Sequence, residues 1–93
     1  MKIRQHQSDH RGRFVAEIDD KKAGLMTYSV VGPHKIIIDH TEVEAEMQGK
    51  NVGYSLVKAA VEYARNNDIK IIPLCPFAKA VFDKTSDYKD VLA

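Results

Sequence analysis

The sequence predicts a mixed α/β chain of the α+β kind: an antiparallel meander of strands, then a βαβ unit with a parallel strand pair, then a short C-terminal helix. Three observations carry this expectation. The clusters Asp9-His10-Arg11-Gly12, Asp19-Asp20-Lys21-Lys22 and Gly32-Pro33-His34 separate β-like segments by connections too short for a crossover. From Val52 the apolar spacing becomes helical. A short apolar run, Ile69 to Leu74, follows, and Pro76 then opens a second helical stretch.

Each element has its own signal. Lys2 to Gln7 is the first strand, ending in the turn at Asp9. Arg13 to Asp19 is the second, with Phe14, Ala16 and Ile18 on one face by period-two alternation. The polar cluster at Asp19 turns the chain into Gly24 to Val31, and Gly32-Pro33-His34 is a second hairpin-type turn. Ile36, Ile37 and Ile38 begin the strongest strand, which is expected to run to about Ala45. Val52, Leu56, Ala60 and Tyr63 then recur at helical spacing, and Val52 to Asn67 would make a helix ~24 Å long. Asn66-Asn67-Asp68 is its stop. Ile69 to Leu74 reads as a buried strand parallel to the one begun at Ile36, Pro76 to Asp83 as a helix, and Asp87 to Leu92 as a final turn. Phe77, Phe82 and Tyr88 are expected to close the far side of the core, with Ala60 and Tyr63 also packed inside.

Ninety-three residues are expected to form one domain, 1–93, with room for one cleft. Fourteen basic against thirteen acidic residues leave no basic stripe, so nucleic acid is not an expected partner. No apolar run approaches the ~20 residues of a membrane span and no signal peptide precedes Ile3, so no membrane is expected either. The single cysteine rules out an intrachain disulfide and suits a reducing cytosol, giving a cytoplasmic expectation.

The most informative segment is Gln48-Gly49-Lys50-Asn51-Val52-Gly53, between the Ile36 strand and the Val52 helix. A glycine-bearing turn that opens a helix presents free N–H groups and the positive dipole end, which bind anions and phosphate above all. It is not a P-loop, because Lys50 is followed by Asn51, and its glycine spacing is not that of a dinucleotide fingerprint. The topology places this turn beyond the carboxyl end of one parallel strand and Cys75-Pro76 beyond the end of the other, on one rim of the sheet.

Cys75 is the sharpest candidate for chemistry. With Pro76 at the first helical position it falls at the N-cap, where the helix dipole favours thiolate. Its other reading is a small buried hydrophobe between Leu74 and Phe77. By alternation His40, Glu42, Glu44 and Glu46 share one face of the preceding strand. His40 and Glu42 are base candidates, while Glu44 and Glu46 read as solvated. His6, His10 and His34 lack metal-ligand spacing, and no metal site is expected. Tyr54 either covers a ligand or packs.

The segment Glu42 to Val57 resembles the acetyl-CoA-binding motif of the GNAT N-acetyltransferase superfamily, Arg/Gln-x-x-Gly-x-Gly/Ala between a strand and a helix. Gln48 matches its first position and Gly53 its last, and Asn51, the commonest non-glycine residue at positive φ, replaces the central glycine. Ile71-Ile72-Pro73-Leu74-Cys75-Pro76-Phe77-Ala78 and Asp87 to Leu92 are similar to the small YjdJ-type branch, the likeness covering roughly Arg13 to Leu92. The resemblance implies a minimal GNAT-like fold that binds acetyl-CoA or coenzyme A. Its pyrophosphate would lie on Gln48, Gly49, Lys50, Asn51, Val52, Gly53 and Tyr54, and its pantetheine arm along Thr41, Glu42 and Val43, where the parallel strands splay. Cys75, His40 and Glu42 would then stand near the thioester. Typical members have two helices between the first two strands, where this chain has a short turn, and that leaves the amine acceptor open. The expected function is N-acetyl transfer from acetyl-CoA to an unidentified small-molecule or protein amine. The alternatives are a CoA or acyl-CoA-binding module without transferase activity, and a small interaction domain whose glycine turn is structural.

Overall fold

The computed structural model describes residues 1–93. Five strands form one sheet in the order β1-β2-β3-β4-β5. β1 (Lys2–Ser8), β2 (Arg11–Ile18), β3 (Lys21–Gly32) and β4 (Lys35–Val43) are an antiparallel meander, and β5 (Lys70–Pro73) pairs parallel to β4. Helix α1 (Val52–Asn66) connects β4 to β5, and α2 (Pro76–Lys84) follows. Single 3-10 stretches occupy Ala45–Met47 and Ser86–Val91.

The hairpins are tighter than the turn clusters suggest. Lys21 and Lys22 belong to β3, so Asp19 and Asp20 alone make the turn, with φ of 51° and 65°. Two consecutive positive φ values are those of a type I′ hairpin, whose twist matches that of the flanking strands. Helix α1 ends on a Schellman arrangement: the Ile69 N–H donates to the Ala64 carbonyl at 2.9 Å, and Asp68, at φ 55°, occupies the left-handed position usually held by glycine.

Both helices pack on the same face of the sheet. Beneath them Phe14, Ala16, Met26, Tyr28, Ile36, Ile38 and Ile71 meet Leu56, Val57, Ala60, Val61 and Ala64 of α1 and Ala78, Val81 and Phe82 of α2 in one buried cluster. Each Val, Leu, Ile, Met or Phe among them contributes about 1.5–3 kcal/mol on removal from water, and each alanine less. Tyr28 reaches outward across β2 to the edge strand, where its hydroxyl accepts from Gln5 Nε2 at 2.8 Å and donates to Gln7 Oε1 at 2.7 Å. Burial pushes that hydroxyl above its ordinary range, and the Gln5 hydrogen bond opposes the shift. The Tyr28 ring lies over Gly12, where an added Cβ would fall 2.2 Å from Cζ. The other face of the sheet carries no helix, and Val15, Leu25, Thr27, Ser29, Ile37 and Ile72 on it are half-buried.

Phe77 is half-buried against the core cluster, as expected, and there it packs on Gly53 at the start of α1, its ring 5.5 Å from that of Tyr54. No helix is long and apolar enough to cross a membrane.

Candidate functional site

β4 changes character at Asp39. From Lys35 to Ile38 it is laddered on both sides, to β3 and to β5. The β3 register then slips, Tyr28 facing Ile38 but Thr27 facing His40, so Asp39 is the extra residue of a β-bulge. The β5 ladder ends at the same place, at Ile38↔Pro73. Leu74 and Cys75 both turn their N–H groups onto the Ile38 carbonyl, at 3.2 and 3.1 Å, and the chain leaves the sheet. Asp39–Val43 therefore keeps a neighbour on its β3 side only. An unpaired strand edge of this kind offers backbone groups to an amide-bearing ligand.

The bulge also decides which way the candidate side chains point. Thr41 faces Met26 and Val43 faces Gly24, on the helix-covered side. His40 faces Thr27 and Glu42 faces Leu25, on the bare side, where His40 Nε2 and Glu42 Oε1 are 3.1 Å apart. The strand stops at Val43, short of Ala45, and Glu44 and Glu46 do not extend the His40–Glu42 row. The covered-side group is closed by Cys75, whose buried thiol donates a hydrogen bond to Thr41 Oγ1 at 3.4 Å. Cys75 thus meets Thr41, while His40 and Glu42 lie on the opposite face of the sheet.

Beyond Val43 the chain makes one 3-10 turn, anchored by buried Met47, and Gln48 Nε2 reaches back to the Val43 carbonyl at 3.3 Å. Gln48, Gly49, Lys50 and Asn51 are exposed. Gly49 has φ 84° and Asn51 φ 60°, so both left-handed positions of the turn fall on residues that tolerate them. Asn51 makes no side-chain cap, and the first helical bond runs from Ser55 N–H to the Asn51 carbonyl at 3.0 Å. The N–H groups of Val52, Gly53 and Tyr54 have no helical acceptor, and no carboxylate lies in this first turn to compete for them. Gly53 is buried against Phe77, with an added Cβ 2.6 Å from Phe77 Cζ, so the two helix starts approach closely. Tyr54 is 47% exposed beside them, and Leu74 is 66% exposed on the β5 exit.

These elements suit a ligand with a polyanionic head and an extended amide arm: the open α1 turn for the head, the free β4 edge for the arm. No group of three or more His, Cys, Asp or Glu is placed to hold a metal ion. Sequence reasoning missed the Asp39 bulge and the contact of Phe77 with Gly53. Phe77 stands next to Pro76, an evident helix start, but contact with Gly53 is tertiary; no local pattern marks the Asp39 bulge.

Comparison with known proteins agrees with this geometry. The GCN5-related N-acetyl-transferase family profile matches residues 13–91, and the chain belongs to that family. Its fold is similar to the solution structure of a GCN5-like protein from Staphylococcus aureus, at 37% identity and TM-score 0.72, over 99% of this chain and 87% of that one. An aminoglycoside acetyltransferase from an uncultured soil metagenomic sample, in complex with sisomicin, shares the fold at 17% identity and TM-score 0.65, over 88% of this chain and 59% of that one. A streptothricin-acetyltransferase-type protein from Bacillus anthracis, solved with acetyl coenzyme A, shares it at 15% identity and TM-score 0.58, over 69% and 38%. No curated protein matches the chain by sequence.

Proposed function

We propose that residues 1–93 form one acetyl-CoA-binding domain that transfers an acetyl group to an amine, acting in the cytoplasm. The observation that carries the reading is the coincidence at one rim of two unsatisfied features: the β4 edge Asp39–Val43, without a β5 partner, and the uncapped start of α1. In this reading Gln48, Gly49, Lys50, Asn51, Val52, Gly53 and Tyr54 hold the pyrophosphate through backbone N–H groups and the helix dipole. Thr41, Glu42 and Val43 hold the pantetheine arm. Family membership, and a neighbour of the same fold solved with acetyl coenzyme A, support the choice of ligand.

Bound acetyl-CoA supplies a thioester whose carbonyl carbon takes the amine lone pair as its C–S bond breaks, the thiolate leaving with the proton the amine gives up. The chain's own groups prepare this. Backbone N–H groups of the unpaired β4 segment are available to the carbonyl oxygen. The His40–Glu42 pair stands on the bare face as the proton acceptor for an arriving ammonium, and the carboxylate holds the imidazole in place. Cys75, bonded to Thr41, is the covered-side group nearest the free edge. The absence of any element over the bare face favours one further reading, a CoA-binding module that needs a partner to complete the acceptor site.

Titration of ¹⁵N-labelled protein with acetyl-CoA tests the proposal. Resonances of Thr41–Val43 and Gln48–Tyr54 are expected to shift together, and no shift at millimolar acetyl-CoA would overturn it. Turnover against an amine panel separates transferase from binding module. Cys75→Ala in the same assay assigns the thiol: unchanged turnover removes it from the chemistry.

A further inference from the structure

We propose that the bare face of the sheet is the acceptor platform, and that Arg11 and Arg13 select an amine that also carries an anionic group, a carboxylate or a phosphate. The inference rests on the transferase reading above for the position of the amine.

The register sets the geometry. His6 pairs with Arg13, Arg13 with Thr27, and Thr27 with His40, so one row of side chains crosses β1 to β4 on the bare face. Arg11 stands in the adjacent row, between Ser8 and Ser29. Between the two arginines is a hollow of about 280 Å³ lined by His6, Ser8, Arg11, Arg13 and Thr27. Two guanidinium forks, two hydroxyls and an imidazole converge there, which is donor chemistry for an oxyanion.

Ion pairing separates these two arginines from the other two. Arg4 and Arg65 are each paired with a carboxylate, Glu17 at 3.0 Å and Asp90 at 2.8 Å, whereas Arg11 and Arg13 form no ion pair. The acidic groups on the bare face are all engaged elsewhere: Glu17 with Arg4, Asp39 with Ser29 Oγ at 2.7 Å, Glu42 with His40. These two unpaired guanidinium groups lie two strands from the His40–Glu42 pair. Two strand spacings are roughly 10 Å, a span that an amine and an anion at opposite ends of a short chain can bridge. His40–Glu42 receives the ammonium end and Arg11–Arg13 the anionic end, and this polarity orients the acceptor along the row.

The test uses 6-aminohexanoate, hexylamine and inorganic phosphate as probes. Without CoA, phosphate and 6-aminohexanoate are expected to shift the Gly12 and Arg13 amides, and hexylamine to leave them unmoved. With acetyl-CoA, kcat/KM for 6-aminohexanoate should exceed that for hexylamine by about tenfold or more, the scale of a lost charge-assisted contact. R11Q/R13Q should erase both differences while retaining the parent's folded amide dispersion and its acetyl-CoA shifts at Gly49–Tyr54. Stronger shifts with phosphate would point to a phosphorylated amine, and stronger shifts with 6-aminohexanoate to an amino acid. Phosphate and 6-aminohexanoate shifts that are absent, or unchanged in R11Q/R13Q, would overturn the proposal, as would equal kcat/KM for the two amines. Loss of acetyl-CoA binding in the parent would instead defeat the transferase reading, and the phosphate titration would still decide the anion site.

Discussion

On one face of the sheet Phe14, Met26, Tyr28, Ile36 and Ile38 are at most 3% exposed under α1 and α2; on the other, the alternate residues of the same strands stay half-buried or exposed. The same five strands thus serve two purposes. The covered face has its volume filled and its polar tips bonded, as the Tyr28 hydroxyl between Gln5 and Gln7 shows. The bare face instead has short-range pairs, Arg4–Glu17, Ser29–Asp39 and His40–Glu42, and an unpaired pair of arginines. The Asp39 bulge belongs to both, since it sends Thr41 toward Cys75 on the first face and His40 toward Glu42 on the second. Stability is concentrated on one side, and the groups free to act lie on the other or along the seam between them.

The sharpest way to break this comparison is to add one carbon to each kind of position. At Gly12 a Cβ would stand 2.2 Å from Tyr28 Cζ and 2.4 Å from its hydroxyl oxygen. Tyr28 is 1% exposed and tied at its tip, so it cannot swing aside without giving up its hydrogen bonds. Gly12→Ala is expected to destabilise by about 3 kcal/mol, at the upper end for overpacking. Gly32 has nothing within 4 Å of the same atom, and Gly32→Ala should fall within ~0.5 kcal/mol of the parent. Urea unfolding of the two variants measures the difference. Equal midpoints would mean that the covered face is not packed to the tightness described.

A smaller effect on stability, but a larger one on function, is expected at the seam. Gly53→Ala gains about 1 kcal/mol of helix propensity. It also brings a Cβ 2.6 Å from the far end of the Phe77 ring, which is half-buried and can move. Net stability should change by less than ~1 kcal/mol. Displacing Phe77 also displaces Tyr54, whose ring it contacts at the opening of α1. The dissociation constant for acetyl-CoA is expected to rise about tenfold, equivalent to ~1.4 kcal/mol. Calorimetric titration that finds parent-like affinity would separate the Phe77 contact from ligand binding.

Local signals explain why so much of the covered face was legible beforehand. Period two in Phe14, Ala16 and Ile18, and helical spacing in Val52, Leu56 and Ala60, both record burial directly, and α1 ends at Asn66 within one residue of its expected stop. The glycine turn was legible because left-handed positions restrict residue choice to Gly49 and Asn51. The seam was harder to read. A bulge shifts register by one residue without changing composition, so alternation alone could neither place Asp39 nor end the strand at Val43. The Phe77–Gly53 contact joins residues of different helices, and only the folded chain brings them together. The arginine hollow depends on which carboxylates are already engaged, and pairing across strands is not written in linear order.

The smallest expected effect lies at the rim of the helix layer. Arg65 grips Asp90 through Nε at 2.8 Å and Nη2 at 2.9 Å, and donates to the Asp87 carbonyl at 2.5 Å. Lys70 Nζ also donates to the Asp90 carbonyl. These contacts fasten the last 3-10 turn, and with it buried Val91, across α1 and β5. The Arg65 hydrogen bond holds the Asp90 carboxyl below its ordinary value. A depressed carboxyl pKa stabilises the fold above the unfolded value, about 3.9, and the contribution is lost as pH falls through the folded value. Both groups are solvent-exposed, so the effect is modest and screened by salt. Asp90→Asn should therefore be slightly less stable than the parent at neutral pH, with the two converging below about pH 4. The difference should shrink in high salt. Thermal melts across that pH range measure it, and a gap that persists at low pH would mean that Asp90 acts through packing and not through its charge.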